Sequence, residues 1–287
     1  MSPSRPVDKP PSPVVFVGAG PGEADLITLR GAERLRLAEV VLFDSLADPA
    51  LRELAPNARW IDVGKRGFAG GVGLADSARQ NTVQGTINAL LVKHAEDGHR
   101  VVRLKGGDPS IFGRLEEEIA ALDAAGIDYE IVPGISSAMA AAAMTGRPLT
   151  RRGVGRSVSL TTAMTRDDGL VARRSADTEV FYMAGKQLAA LSRRLREAGW
   201  PADTPACVVS RAGWPDALAS DHRVATLAQA TVVHAGRPTV VTVGAGAGPV
   251  GAGATPIRGG ARALGVARAT TVGPAAEATA GALTPTP

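Results

Sequence analysis

Five short apolar runs, Val14 to Val17, Val40 to Phe43, Trp60 to Val63, Val101 to Leu104 and Tyr129 to Val132, alternate with segments of helical periodicity. Leu26, Leu29, Ala32 and Leu35 recur at helical spacing, as do Ile87, Leu90, Leu91 and Ala95, and then Ile119, Leu122 and Ala125. Consecutive strands linked through helices return in the same direction, and a parallel sheet is covered on both faces. The alternation therefore predicts an α/β fold with a mostly parallel sheet, whose ligands sit at the carboxyl edge of the strands.

After the Ala-rich helical run Ala138 to Met144 and the turn GRPLTRRG, strand signals return at Ser157 to Thr161, Glu179 to Met183, Ala206 to Val209 and Thr239 to Val243. One helix from about Gln187 to Ala198 interrupts them. This predicts an N-terminal α/β domain over 14–146 and a smaller C-terminal α/β domain over 147–244. Residues 1–13 carry five prolines, and 245–287 are dominated by Ala, Gly, Thr and Pro. Both are expected to be disordered tails, since they recover too little apolar area to offset an ordering cost of about 1–2 kcal/mol per residue.

The composition excludes several function classes. Aromatic residues make up 3% of the 287, with no basic run interleaved with Phe or Tyr, so the stacking platforms of single-strand nucleic-acid binders are missing. The formal charge of +4 fits a small polyanion in a cleft, and equally a solvated basic surface. No apolar run is long enough for a membrane helix, and MSPSRPVDKPPSP lacks the apolar core of a signal peptide, so a cytoplasmic protein without a membrane partner is expected. Cys207, in the apolar run ACVV, reads as a small core residue. His94, His99, His222 and His234 show no ligand spacing, and no metal site is expected.

The segment VVRLKGGDPSIFGR, Val101 to Arg114, reads as a buried strand that breaks into a glycine-rich loop bearing an acid and a base, then enters a helix near Gly113. Gly106, Gly107 and Pro109 end the strand and let backbone approach a ligand closely. A second loop, Gly18-Ala19-Gly20-Pro21-Gly22, closes the first strand and invites a dinucleotide reading. Glu23 stands where that fingerprint wants its third glycine, and Pro21 removes a backbone donor, so a nicotinamide enzyme is a minor alternative.

VFVGAGPGEADLITLRGAERL, VVLFDSL, VGKRG, VVRLKGGDPSIFGR, VPGISSAM, RPLTRRG and VFYMAG stand in an order and spacing that resembles the uroporphyrinogen III C-methyltransferases of the tetrapyrrole methylase superfamily. The resemblance spans about Val14 to Gly244. It implies two α/β domains with the active site in the cleft between them, a homodimer, and transfer of two methyl groups from S-adenosylmethionine to carbons 2 and 7 of uroporphyrinogen III. The product would be precorrin-2, on the way to sirohaem or cobalamin. A methylase of a later precorrin and a non-catalytic binder of an S-adenosyl ligand or a tetrapyrrole are the alternatives.

By position, the resemblance implies Asp44 and Lys65 as proton acceptor and donor. A plainer reading makes Asp44 a turn cap at a strand end and Lys65 a surface charge. The methyl donor would be contacted by Pro21, Gly106, Gly107, Asp108, Ile111, Ser136, Ser137, Met183, Ala212 and Thr239. Asp108 is suited to accept from its amino group or ribose, and the serine pair, which could equally be a helix N-cap, to offer hydroxyls and backbone N–H groups. Arg66, Arg114, Arg151 and Arg152 are the candidates for the substrate's carboxylates, which guanidinium groups bind in a bidentate fork.

The chain departs from the family pattern in four places. The connection GFAGGVGLADSARQNTVQGTIN after VGKR is longer than usual and has Gln80 where a histidine is usual. Leu115 and Glu116 replace two glycines after FGR, Arg151 follows PLT in place of histidine, and Thr162-Ala163-Met164 replace TGH.

Overall fold

The structure, a computed structural model, describes residues 11–64, 76–164 and 170–251, without the side chains of 76–83. Its first sheet contains β1 (Val14–Gly18), β2 (Val40–Phe43), β3 (Arg59–Asp62), β4 (Val101–Lys105) and β5 (Tyr129–Val132). The order is β3-β2-β4-β1-β5, parallel throughout. The connecting helices are α1 (Leu29–Arg36), α2 (Asp76–Glu96) and α3 (Leu115–Ala124).

Side-chain alternation divides this sheet's core into two layers. Val17, Val41, Val102 and Leu104 pack with Leu35 of α1 and with Leu51 and Leu54 of a short 3-10 turn. Val14, Phe16, Val40, Leu42 and Val101 pack with Ile87 and Leu91 of α2 and with Leu115 and Leu122 of α3. α1 starts at Thr28, whose hydroxyl accepts from the Gly31 N–H at 3.1 Å. α3 starts later than the glycine-based expectation because Phe112 and Arg114 hold left-handed φ values of 51° and 55°.

The chain then forms α4 (Ser137–Thr145) and a second sheet of β6 (Val158–Thr162), β7 (Thr178–Tyr182), β8 (Pro205–Ser210), β9 (Leu218–Arg223) and β10 (Thr239–Gly244), in the order β6-β7-β10-β8-β9. Only β6 and β7 run parallel, and the other pairs are antiparallel. One face packs Phe181, Val208 and Val241 against Leu188, Leu191 and Leu195 of α5 (Leu188–Glu197). The other face receives α4: Ala138 meets Val180, Tyr182 and Val240, and Ala141 meets Cys207 and Val209. Alanines let this helix lie close to the sheet, so α4 follows the first sheet in sequence and buries against the second. Cys207 is buried, and burial pushes its thiol up to about 11.

Two features differ from the sequence reading. β9 was not expected, because LASDHR is a polar edge strand paired on one side to β8 and carries no apolar alternation. Ordered contacts also run into both segments expected to be tails: the Ser12 N–H donates to the Ala95 carbonyl at 3.1 Å and its hydroxyl to the Gly98 carbonyl at 3.0 Å, and others lie beyond Gly244. The Ala245 N–H donates to the Asp177 carbonyl at 2.9 Å, the Gly246 N–H donates to Thr178 Oγ1 at 2.9 Å, and Arg151 donates to the carbonyls of Gly248 and Pro249. Residues 1–10 and 252–287 lie outside the described residues.

Candidate active site

The loops that follow β1, β2, β4 and β5 meet at the carboxyl edge of the first sheet. Gly20 and Gly107 exchange backbone hydrogen bonds, with the Gly107 N–H donating at 2.7 Å and the Gly20 N–H at 3.3 Å, which lashes the GAGPG loop to the GGDP loop. Asp108 ties in the β5 loop. Its Oδ2 accepts from the Gly134 N–H at 2.9 Å and its Oδ1 from the Ser110 N–H at 2.8 Å. A Cβ on Gly134 would lie 2.2 Å from the Gly107 carbonyl oxygen, so only glycine permits this three-loop junction.

Asp44 leaves the end of β2 half-buried, and its two carboxylate oxygens do different things. Oδ1 accepts from the Leu46 N–H at 3.1 Å, the turn cap that a strand-end aspartate commonly makes. Oδ2 reaches across to the Gly106 N–H, also 3.1 Å, at the head of the neighbouring β4 loop. The carboxylate is thereby fixed in orientation while it still borders solvent. Lys65 and Arg66 lie outside the described residues.

Beneath this edge, β4 buries two cations that the apolar reading of its run did not register. Arg103 and Lys105 point to the face shared with α2 and α3, where Glu118 receives Arg103 Nε at 3.2 Å and Lys105 Nζ at 2.7 Å. Gln84 donates to the same carboxylate at 3.2 Å. Burial, followed by the nearby Arg103 charge, lowers the Lys105 pKa, and Glu118 and Asp44 oppose that shift. The sequence signal that could have found the triad is the pair of basic residues in a strand otherwise built of Val and Leu.

The second sheet closes over the edge from the other side. The Glu23 N–H donates to the Gly213 carbonyl at 2.8 Å, and a Cβ on Gly22 would come within 2.2 Å of that oxygen. Tyr182, at the end of β7, lies over the N-terminus of α4: its hydroxyl is 2.7 Å from Ser136 Oγ. Ser136 therefore occupies the N-cap position without capping through its side chain, which turns to the second sheet instead. Phe112 packs its ring 5.1 Å from that of Tyr182, and Ile111 and Met183 join the same apolar cluster. Met183 and Arg211, at the ends of β7 and β8, take left-handed φ values of 57° and 51°, as Phe112 and Arg114 do on the facing loop. Strained non-glycine backbone of this kind concentrates where surrounding structure holds a functional loop in place.

The candidate residues thus divide into groups. Pro21, Gly106, Gly107, Asp108, Ile111, Ser136, Ser137, Met183 and Ala212 lie on loops and element ends around this junction. Pro21 lies against Gly213, the neighbour of Ala212: a Cβ on Gly213 would be 2.9 Å from the Pro21 ring. Thr239 is buried at the start of β10 and donates its hydroxyl to the Arg237 carbonyl at 2.8 Å. Arg114 is held by both oxygens of Glu117, each 2.5 Å away. Arg151 is anchored to the 248–249 backbone, and Arg152 is exposed. Tyr182, Phe112, Gly213 and the Glu118 triad are the additions the sequence reading did not single out, although Tyr182 stands inside VFYMAG.

The histidines are less dispersed than their spacing suggests. His94 and His99 come together with Asp97 where the chain turns from α2 into β4.

Residues 13–236 match the model of the family described as Tetrapyrrole (Corrin/Porphyrin) Methylases. A uroporphyrinogen-III C-methyltransferase of Pseudomonas aeruginosa is 43% identical over 203 residues, covering 69% of this chain and 79% of that protein. A crystal structure of a Thermus thermophilus uroporphyrin-III C-methyltransferase complexed with S-adenosyl homocysteine superposes with a TM-score of 0.68 at 31% identity, over 81% of this chain and 97% of that one. A solved cobalamin biosynthetic enzyme, cobalt precorrin-4 methyltransferase, gives a TM-score of 0.68 at 29% identity, over 82% and 96%. With the family match, the two-sheet fold and the glycine-built loop junction in agreement, this chain belongs to the tetrapyrrole methylases.

Proposed function

We propose that this chain is a uroporphyrinogen-III C-methyltransferase that methylates carbons 2 and 7 of its substrate to give precorrin-2. The observation that carries this reading is the placement of Asp44: a half-buried carboxylate fixed between the Leu46 N–H and the Gly106 N–H at the head of the GGDP loop. The similarity to named uroporphyrinogen-III C-methyltransferases supports the substrate.

The residues present fit S-adenosylmethionine as methyl donor. The first turn of α4 offers backbone N–H groups and the Ser137 hydroxyl, Asp108 offers a carboxylate, and Ile111, Met183 and Ala212 offer apolar cover. When bound, that group supplies an electrophilic methyl. A pyrrole carbon that took this methyl, in exchange for the sulfur–methyl bond, would oblige the ring system to shed a proton. Asp44 is the acceptor of that proton, with its orientation held by the Leu46 and Gly106 N–H groups. Lys65 is the proposed donor. Arg114, Arg151, Arg152 and Arg66 are the proposed carboxylate partners, Arg114 exchanging Glu117 for substrate.

In this reading the first sheet and the second form two domains that divide near Arg147, with α4 shared between them, and the substrate enters the cleft. A homodimer in the cytoplasm is part of the proposal. Among the described residues no helix is long and apolar enough to cross a membrane. A later precorrin as substrate is the second reading, supported by the equal superposition on cobalt precorrin-4 methyltransferase and by the replaced histidine positions.

An anaerobic assay with uroporphyrinogen III and labelled S-adenosylmethionine tests the proposal. Two methyl groups added to the macrocycle are expected. Binding of S-adenosylmethionine without transfer to this substrate would favour the later precorrin, and absence of binding would overturn the methylase reading.

A further inference from the structure

We propose that His94, Asp97 and His99 form a binding site for a divalent transition-metal ion such as zinc, which would pin the end of α2 to the start of β4. His94 lies in the last turn of α2, and the chain reverses through Asp97 and Gly98, whose φ is 77°, to His99 and then β4. One ligand atom from each of the three residues lies within 4.8 Å of the others. A tetrahedral zinc ion with bonds near 2.1 Å sets its ligands roughly 3.4 Å apart, so the three atoms would close in from their present spacing around the ion.

Independent observations point to a ligand. His94 is 5% exposed, yet its Nδ1 is buried without a hydrogen-bond partner. Buried polar atoms almost always find a partner, and such an orphan calls for a group to meet it. The His94 and His99 rings stand edge to face with centroids 5.6 Å apart. His99 Nδ1 lies 3.3 Å from the His94 carbonyl oxygen. With the proton on Nδ1, this contact leaves the Nε2 lone pair for a metal, the arrangement that ligating histidines commonly adopt.

The charges around the cluster are of both signs. The carboxyl end of α2 and Asp97 are negative, whereas Arg59 and Lys93 are positive neighbours. Lys93 holds Asp97 Oδ2 at 3.0 Å, but both side chains are exposed, so a metal competes with a surface ion pair. Two imidazoles and one carboxylate suit zinc, nickel or cobalt better than magnesium or calcium. The cluster precedes β4, whereas Asp44 and the GGDP loop follow parallel strands, so the two sites lie at opposite ends of the first sheet.

Titration of the chelator-stripped, tag-free full chain with zinc chloride, followed by calorimetry, tests this site. One ion per chain is expected, with a rise in Tm on zinc addition. His99→Ala and Asp97→Asn should each weaken binding at least tenfold and abolish the zinc-dependent rise, with unchanged circular dichroism. His222→Ala, on β9 of the second sheet where its Nε2 lies 2.8 Å from Ser220 Oγ, should bind as the parent does. If His99→Ala does not fold, Asp97→Asn decides. No zinc uptake at millimolar concentration, or equal affinity in the parent and Asp97→Asn, would overturn the proposal.

Discussion

The Tyr182 hydroxyl and Ser136 Oγ meet at 2.7 Å, joining the end of a strand in the second sheet to the first turn of the helix that leaves the first. Removing this hydroxyl in Tyr182→Phe strands the Ser136 hydroxyl in a buried setting. We expect a loss of about 1–2 kcal/mol in urea-denaturation stability. S-adenosyl homocysteine affinity should weaken as well, because the same turn supplies the proposed donors; calorimetry reads that loss.

Burial raises the Tyr182 pKa above its ordinary value of 10.0. Below that pH both folded and unfolded chains keep the phenol protonated and the contribution is intact. As pH climbs beyond it, the unfolded chain ionises first, so stability is lost on the way to the folded-state pKa. Denaturation series on either side of pH 10 should show this alkaline decline in the parent and a shallower one in Tyr182→Phe.

Asp44→Asn keeps the side-chain volume and removes the proposed proton acceptor. Methyl transfer is expected to fall by roughly 10²-fold or more. Tm should stay within a few degrees, and binding of S-adenosyl homocysteine should change little. A variant that transfers methyl groups at the parental rate would remove Asp44 from the chemistry.

Glu118 balances two buried cations at 3.2 and 2.7 Å. Glu118→Gln leaves Arg103 and Lys105 facing each other without that carboxylate, at an expected cost of about 3–5 kcal/mol. The double variant Glu118→Gln with Lys105→Met should recover part of the loss, which separate denaturation curves of the single and double variants would reveal.

Burial also lowers the pKa of His94, His222 and His234 below 6.5. Above 6.5 these rings are neutral in both states and the fold is unaffected by them. As pH falls through 6.5 the unfolded chain takes up protons first, so stability should decline toward the folded-state values. The aspartates paired with arginine, Asp216 and Asp221, are depressed below 3.8 and extend the acid loss to lower pH. Denaturant midpoints measured from neutral to mildly acidic pH check this order.

Much of the fold was legible because strand and helix periods are local. The runs at Val40–Phe43 and Tyr129–Val132 coincide with β2 and β5: β2 is covered within the sheet, whereas β5 is an edge strand that buries Val132 and leaves Tyr129 and Ile131 exposed. The candidate loops were legible for a related reason: glycine and proline mark where a chain must turn or approach another closely, and Gly107, Gly134 and Gly22 all do so. The roles of particular side chains were less accessible. Asp44 was open between turn cap and functional carboxylate, and the structure gives one oxygen to each kind of contact.

The sequence by itself determined that a parallel sheet forms over 14–132 and that glycine-rich loops gather at its carboxyl edge. Those properties follow from local periodicity and backbone freedom. Tertiary structure decided that α4 buries on the second sheet, that Ser136 turns to Tyr182, that Arg103 and Lys105 lie inside around Glu118, and that His94 meets His99. Each of these depends on a partner distant along the chain or on a turn whose direction the packing sets. Charge or polarity in one segment cannot disclose whether a complementary group elsewhere will make its burial favourable.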